Sequence, residues 1–482
     1  MATTTTAPLT ERSATALAGA IRAGEVSARE VVEAHIAVFE RVNPRINAVI
    51  HERYADARAE ADAADRRIAA AAGGEQLPPL LGVPCTIKET IGVQGLPHSA
   101  GVVARREHRA ERTAPIAQRL LDAGAICLGL TNISELTLWV ESENRIYGRT
   151  SNAYDQRRTA GGSSGGEGAA VGSGGSPLGL GSDLGGSIRL PAFFNGVFGH
   201  KPSLGLVPNT GLWPAPVGET TRLTVSGPLT RRAEDLMPVL RVIAGPDGED
   251  EVTVPMELGD PESVALKGLR VVVSESATLG PTGRELANAR ERAAGALAGA
   301  GARLERVSMR SLLRAMEIYL ATLSTAAGVT AQQLLVEAGA EPVTLRTALR
   351  RNGDHTRATR ITLAAERLAA RAPASRTRRS MGVRDSFVQE LRDTIGDGVL
   401  LHPPAPKVAP KHNRTVGRVW WIHPMLVFNL AAVPVTQVPL GLDGDGLPLG
   451  VQVAAGPGAD HRSIAVALEL ERVFGGWVPP GG

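Results

Sequence analysis

Between Thr159 and Ala192 the chain reads TAGGSSGGEGAAVGSGGSPLGLGSDLGGSIRLPA, and no other stretch restricts its fold as tightly. Glycine loses more conformational freedom on folding than any other residue, so a run this dense needs a cause. A flexible Gly/Ser linker is the simplest one. The interleaved Ala169, Ala170, Val171, Leu178, Leu180 and Leu184 argue against it, as does the IRLPAFFNGVFG that follows, because a solvated linker has no use for that apolar content. The remaining uses are close approach of backbone to a ligand and backbone with positive φ. A helix starting near Ser187 or Ile188 adds a third, a set of free N–H groups at its positive end.

Such donors can hold a phosphate or an oxyanion. The run spells neither G-x-x-x-x-G-K-[ST] nor G-x-G-x-x-G, so a non-catalytic phosphate or nucleotide binder is the weaker reading. The N–H groups of Leu184, Gly185, Gly186 and Ser187 would instead face the developing oxygen of a tetrahedral intermediate, where each donor contributes about 3 kcal/mol. Gly162, Ser164 and Gly166 also fit the G-x-S-x-G elbow of another hydrolase class. That elbow needs a buried strand just before it, which NAYDQRRTA does not resemble. It also needs a histidine, and His402, His412, His423 and His461 have no telling context.

The charge balance bears on the same choice. The 482 residues carry 52 basic and 49 acidic side chains, a net +3 that gives little reason to expect nucleic acid. Lysine is scarce: Lys88, Lys201, Lys267, Lys407 and Lys411 are all of it. Arginine stays charged at neutral pH, whereas a buried lysine can serve as a base, so each retained lysine is a candidate. Cys85 and Cys127 lie in apolar runs and read as core residues of a reducing compartment. The N-terminus shows no basic start followed by an apolar stretch, and no window approaches 18 apolar residues. A cytoplasmic protein without a membrane span is expected. No spacing of cysteine and histidine suggests zinc, and no metal or cofactor is expected.

Local patterns predict an α/β fold. Helices are expected over 13–23, over 27–42 with a Ser27/Glu30 capping box and a stop at Pro44, and over 56–72. Strands are expected in 80–90 and 125–132, with a helix over 114–122 between them. The stretch after Pro228 reads as a helix closed by Gly245. A strand at 268–276, a helix at 285–301 and a strand at 302–308 follow, then a mostly helical 310–395. The strands VPVTQVPLG and LPLGVQVAA and a helix over 462–474 end the chain. With aromatics at only 3%, the core must rest on Ala, Leu and Val. Between Glu341 and Arg384 lie eleven arginines against three acids. A solvated helical face explains them best. The sharper alternative is peripheral contact with an anionic membrane through 341–384, with Leu345, Leu349, Ile361, Leu363 and Leu368 as its apolar side.

The glycine-serine run resembles the amidase signature. GVPCTIKE, which carries Lys88, resembles that family's G-V-P-x-x-x-K motif, and the likeness extends through GHKPSLGLVP, SGPLTRRAEDL and GLPLGVQVAAGP. PKHN (410–413), FGGW (474–477) and the form of the serine segment are most similar to fatty acid amide hydrolases of the second type. The resemblance implies one amidase domain over 1–482, with a central mixed β-sheet surrounded by helices. N-terminal helices would occupy 1–75, the catalytic core 76–245, and a helical substrate-channel region 310–395. It implies Ser187 as nucleophile, Ser163 as a bridging serine after a cis peptide bond, Lys88 as general base, and Ser164, Asp183 and Arg189 as supporting residues. The bland readings are a turn serine for Ser164 and a helix-capping acid for Asp183. The implied activity is hydrolysis of small-molecule carboxylic amides with hydrophobic acyl or aryl groups through an acyl-enzyme. A glutamine amidase subunit of a tRNA-dependent amidotransferase shares these motifs and is the alternative. A homodimer is left open. The chemistry is consistent: serine is a weak nucleophile until a base takes its proton, and lysine is that base when burial keeps it neutral. Glu89 should point to the opposite face of the strand.

Overall fold

The computed structural model describes residues 7–71, 75–275, 282–325, 330–344, 353–369 and 374–481. The chain opens with α1 (Ala14–Arg22) and α2 (Ala28–Ile46), capped by Ser13 and by a reciprocal Ser27/Glu30 box. α2 does not stop at Pro44. Proline removes one ladder N–H, but it lies in the last turn, and Asn47 ends the helix in the left-handed region at φ 49°. Asn43 holds the exit, its side-chain oxygen accepting from the N–H groups of Ala48 and Val49. α3 (Tyr54–Ala70) lies back on α2 and caps it, with Asp65 accepting from the N–H groups of Ala28 and Arg29.

The strands are β1 (Val49–Glu52), β2 (Pro84–Lys88), β3 (Ile126–Thr131), a hairpin of β4 (Glu143–Asn144) and β5 (Gly148–Arg149), β6 (Leu178–Asp183), β7 (Phe198–Lys201), β8 (Val225–Thr230), β9 (Arg270–Glu275), β10 (Arg303–Ser308), β11 (Val399–His402), β12 (Val435–Leu442) and β13 (Pro448–Ala455). Among the described residues, eleven form one sheet in the order β1-β3-β2-β6-β8-β7-β12-β13-β11-β9-β10. β2 runs parallel to β3 and β6, and β9 runs parallel to β10 and β11. The other pairs are antiparallel. This is the mixed sheet that the α/β pattern and the family likeness predicted. Every residue of β2, β3, β6, β8 and β13 is buried.

The glycine-serine run holds more regular structure than its composition suggests. After α4 (Pro115–Asp122) it forms α5 (Gly165–Gly172) and then β6, before α6 (Arg189–Phe194). All of α5 is buried. A Cβ on Gly166 would strike the backbone of Asn132, and one on Gly168 would lie 2.7 Å from the Pro191 carbonyl oxygen. Each helical glycine costs about 1 kcal/mol against alanine. Here that offsets the steric clash a larger residue would meet.

One other expectation needs correction. The stretch around Pro228 is not helical at its start. Val225–Thr230 is β8, with Pro228 in register opposite Leu180, and α7 begins only at Leu236 and runs to Ile243. Of the five apolar residues named for the arginine-rich segment, two have described side chains. Leu363, on helix Arg357–Ala369, is fully buried with Val102, Leu136, Leu335 and Val343, while Ile361 is exposed. Leu345 and Leu349 fall outside the described residues. Leu368 lies inside that helix, but its side chain is not among those described. No helix of the described residues is long and apolar enough to cross a membrane.

Candidate active site

Ligand sites in sheets with parallel strands gather at the strands' carboxyl ends. Three such ends meet here: Lys88 closes β2, Thr131 closes β3 and Asp183 closes β6. Lys88 is fully buried in the middle of this group. Its Nζ donates to Ser163 Oγ at 2.7 Å and to Ser182 Oγ at 2.9 Å. Both partners are hydroxyls, and among the described residues the amine forms no ion pair. Burial lowers its pKa to about 7, against the opposing pull of Asp183, Glu167 and Glu89. Glu89 turns away, as strand alternation requires, and accepts from the N–H and Oγ of Ser99 and the N–H of Ala100.

Ser163 follows a cis peptide bond to Gly162. Its carbonyl accepts from Ser142 Oγ at 3.0 Å, and Ser142 Oγ also accepts from the N–H of Gly165, so one side chain fixes both sides of the serine pair. Ser164 is buried. Its N–H reaches the carbonyl of Ser187 at 3.3 Å and its Oγ the carbonyl of Ser182 at 3.3 Å, tying the serine pair to the β6–α6 loop. Its side chain makes no helix-capping bond. The elbow reading of Ser164 finds no support: no named strand lies between Arg149 and Gly165. His402 bonds to Ser274, His412 to the Gln156 carbonyl and His423 to the Leu312 carbonyl, and among the described residues neither these nor His461 bonds to a serine of the run.

Ser187 lies on the loop between β6 and α6 and is half-buried, with no hydrogen bond on its Oγ among the described residues. Asp183 shapes this loop. It accepts from the N–H of Gly186 at 2.7 Å and of Ile188 at 3.1 Å, and it pairs with Arg189 at 3.0 Å, both side chains fully buried. Asp183 is thus both the loop cap and half of an ion pair. Burial opposes its charge, but Arg189 beside it and Asn429 hold its carboxyl well below the usual carboxylate range. Arg189 uses all five of its donor positions, on both Asp183 oxygens, Asn429 Oδ1, Gln452 Oε1 and the Met425 carbonyl. Four N–H groups are expected as oxyanion donors. The N–H of Gly186 is engaged by Asp183, which leaves those of Leu184, Gly185 and Ser187 without a partner among the described residues.

Several residues of this centre carry no signal in the sequence that reasoning used. Ser182 is placed by the β2–β6 pairing. Ser142, Asn429, Gln452, Tyr319 and Met425 arrive from distant segments. Tyr319 Oη donates to the Leu184 carbonyl at 3.2 Å and lies over Gly185, and Met425 lies over Gly186. Glu167 is buried on α5 and accepts from Thr86 and Thr131. Among the described residues no group of three or more His, Cys, Asp or Glu is arranged to hold a metal. Cys85 and Cys127 are free, buried and in register on β2 and β3.

The family model described as Amidase matches residues 30–464. A Danio rerio protein described as fatty-acid amide hydrolase 2-B is 41% identical over 496 residues, covering 99% of this chain and 92% of that protein. A glutamyl-tRNA(Gln) amidotransferase subunit from Salinispora tropica is 32% identical, covering 98% of this chain and 99% of that protein. Among solved structures, 6-aminohexanoate cyclic dimer hydrolase superposes with a TM-score of 0.80 at 27% identity, covering 97% of this chain and 98% of that one.

Proposed function

The chain belongs to the amidase family and hydrolyses carboxylic amides, and from that premise we propose that Ser187 is its nucleophile, Ser163 the proton bridge and Lys88 the base. Neutral Lys88 takes the proton of Ser163, and Ser163 takes that of Ser187. Ser187 attacks the amide carbonyl, and the N–H groups of Leu184, Gly185 and Ser187 receive the oxyanion. Ser163 then returns a proton to the departing nitrogen, because an amine leaves badly as an anion. Water cleaves the acyl-enzyme by the reverse path. Asp183 and Arg189 hold the oxyanion loop in shape, and Ser164 ties it to the bridging serine. The observation that carries this reading is the 2.7 Å contact with Ser163 Oγ of a fully buried amine that has no carboxylate partner among the described residues.

For the acyl group we favour a hydrophobic chain or aryl ring. Tyr319 and Met425 crowd the loop beside Ser187, and Leu184 packs against a buried cluster that includes Leu312, Met316, Ile318 and Leu426. The Danio rerio relative, at 41% against 32% for the amidotransferase protein, supports the same preference over a glutamine amidase. A cytoplasmic setting is part of the proposal and rests on cysteine usage, two in 482 residues. The test is a fluorophosphonate probe on the purified protein, followed by a panel of amides of graded acyl length. Labelling should map to Ser187 and vanish in S187A. Labelling that survives S187A and is lost in S164A would replace the relay with the elbow.

A further inference from the structure

Buried ionisable groups are costly unless something uses or neutralises them, and the one nearest the proposed relay that the mechanism leaves idle is Glu167. It is fully buried in the first turn of α5, two residues after Ser164–Gly165. Thr86 Oγ1 donates to one carboxyl oxygen at 2.7 Å and Thr131 Oγ1 to the other at 2.8 Å. Thr86 lies two residues before Lys88 on β2, and Thr131 is the register partner of Lys88 on β3. On the third strand, a Cβ at Gly179 would overlap the carboxyl group itself. Glu167 therefore fills a slot cut for it under the strand end that carries the lysine.

The slot holds no counter-charge. Among the described residues Glu167 has two neutral hydroxyls and forms no ion pair. Lys88, whose charge acts on it, does not bond to it. The other ionisable groups around the pair are Asp183, engaged with Arg189, Glu89, engaged with Ser99 and Ala100, and the Cys127 and Cys85 thiols on β3 and β2. An ionised carboxylate here would lack the compensation that buried charges require.

We propose that Glu167 stands as a protonated carboxylic acid in the resting enzyme, its O–H donating to one of the two threonine hydroxyls while the other hydroxyl donates to its C=O, a positioning residue that braces β2 against β3 and β6 while withholding the negative charge that would keep Lys88 an ammonium. The proposal rests on the relay reading. Burial supports it, raising the carboxyl to about 8 while lowering Lys88 to about 7.

The experiment is the pH dependence of the Ser187 labelling rate, together with infrared difference spectra of wild type against E167Q. Glutamine has the size and neutrality of a protonated acid, so E167Q should label within about threefold of wild type, with its acid limb at the same pH. E167A, which empties the slot, should lose at least tenfold. The spectrum should show a protonated carboxyl C=O band at pH 7 that E167Q removes. An E167Q acid limb shifted about one pH unit or more downward, as removal of a negative charge from beside an ammonium requires, overturns the proposal. So does a missing carboxyl band. If K88M labels as fast as wild type, the relay itself falls, a result that the infrared band does not depend on.

Discussion

Replacing Lys88 by methionine should abolish labelling of Ser187 and yet stabilise the protein at neutral pH. Folding takes this amine from an ordinary pKa of 10.5 down to about 7. At pH 7 the unfolded chain binds a full proton on Lys88 and the folded chain about half of one. Integrated over that shift, burying the lysine costs about 4 kcal/mol at pH 7. Methionine matches the length of the stem and has no charge to bury. It forfeits the bonds to Ser163 and Ser182, about 1 kcal/mol each. The net gain for K88M is then about 2 kcal/mol. The pH dependence is the sharper part. Between pH 7 and 10.5 the unfolded state binds more protons than the folded one, so wild type gains stability as pH rises, approaching about 1.4 kcal/mol per unit. K88M lacks this term, and groups that do not interact with Lys88 cancel in the difference. Its advantage should therefore be flat below pH 6, shrink above pH 7 and close by about pH 9. Urea unfolding of both proteins from pH 5.5 to 9.5 measures the gap. A gap that stays constant from pH 7 to 9 would refute the depressed lysine, and with it the base at the start of the relay.

The remaining predictions test the frame around that lysine. G179A should lose about 2 kcal/mol or more in urea unfolding, because the added methyl overlaps the Glu167 carboxyl in a fully buried slot. R189K should lower both the melting temperature and the Ser187 labelling rate. Lysine cannot reproduce five directed donors, and one or more of Asn429, Gln452 and the Met425 carbonyl would lose its partner at about 1–3 kcal/mol each. If R189K labels and melts as wild type does, the Asp183–Arg189 pair does not hold the oxyanion loop.

What was readable in advance, and what was not, divides along a physical line. The Lys88, Ser163 and Ser187 positions stood out because their motifs are local and ordered. The lysine's burial followed from an apolar strand that needs no partner to be recognised. Ser182 could not be found the same way: only the strand order β3-β2-β6 makes it the second acceptor of the amine. Glu167 was hidden for a related reason. Nothing local says that its carboxyl enters a slot between three strands. α5 and β6 stayed invisible because glycine erases the apolar period from which helices and strands are recognised.

Those same glycines are the reason the site can exist. β6 can pass within reach of Lys88 Nζ only if Gly179 leaves room for Glu167. α5 can set Ser163 and Ser164 beside the Ser187 loop only if Gly166 and Gly168 admit the backbones of Asn132 and Pro191. The loss of a readable pattern and the closeness of the reacting groups are therefore two consequences of one choice, to omit side chains wherever another group must approach the backbone. Larger residues at these positions would restore helical or strand periodicity to the segment and, by the same volume, push the serines away from the amine that arms them.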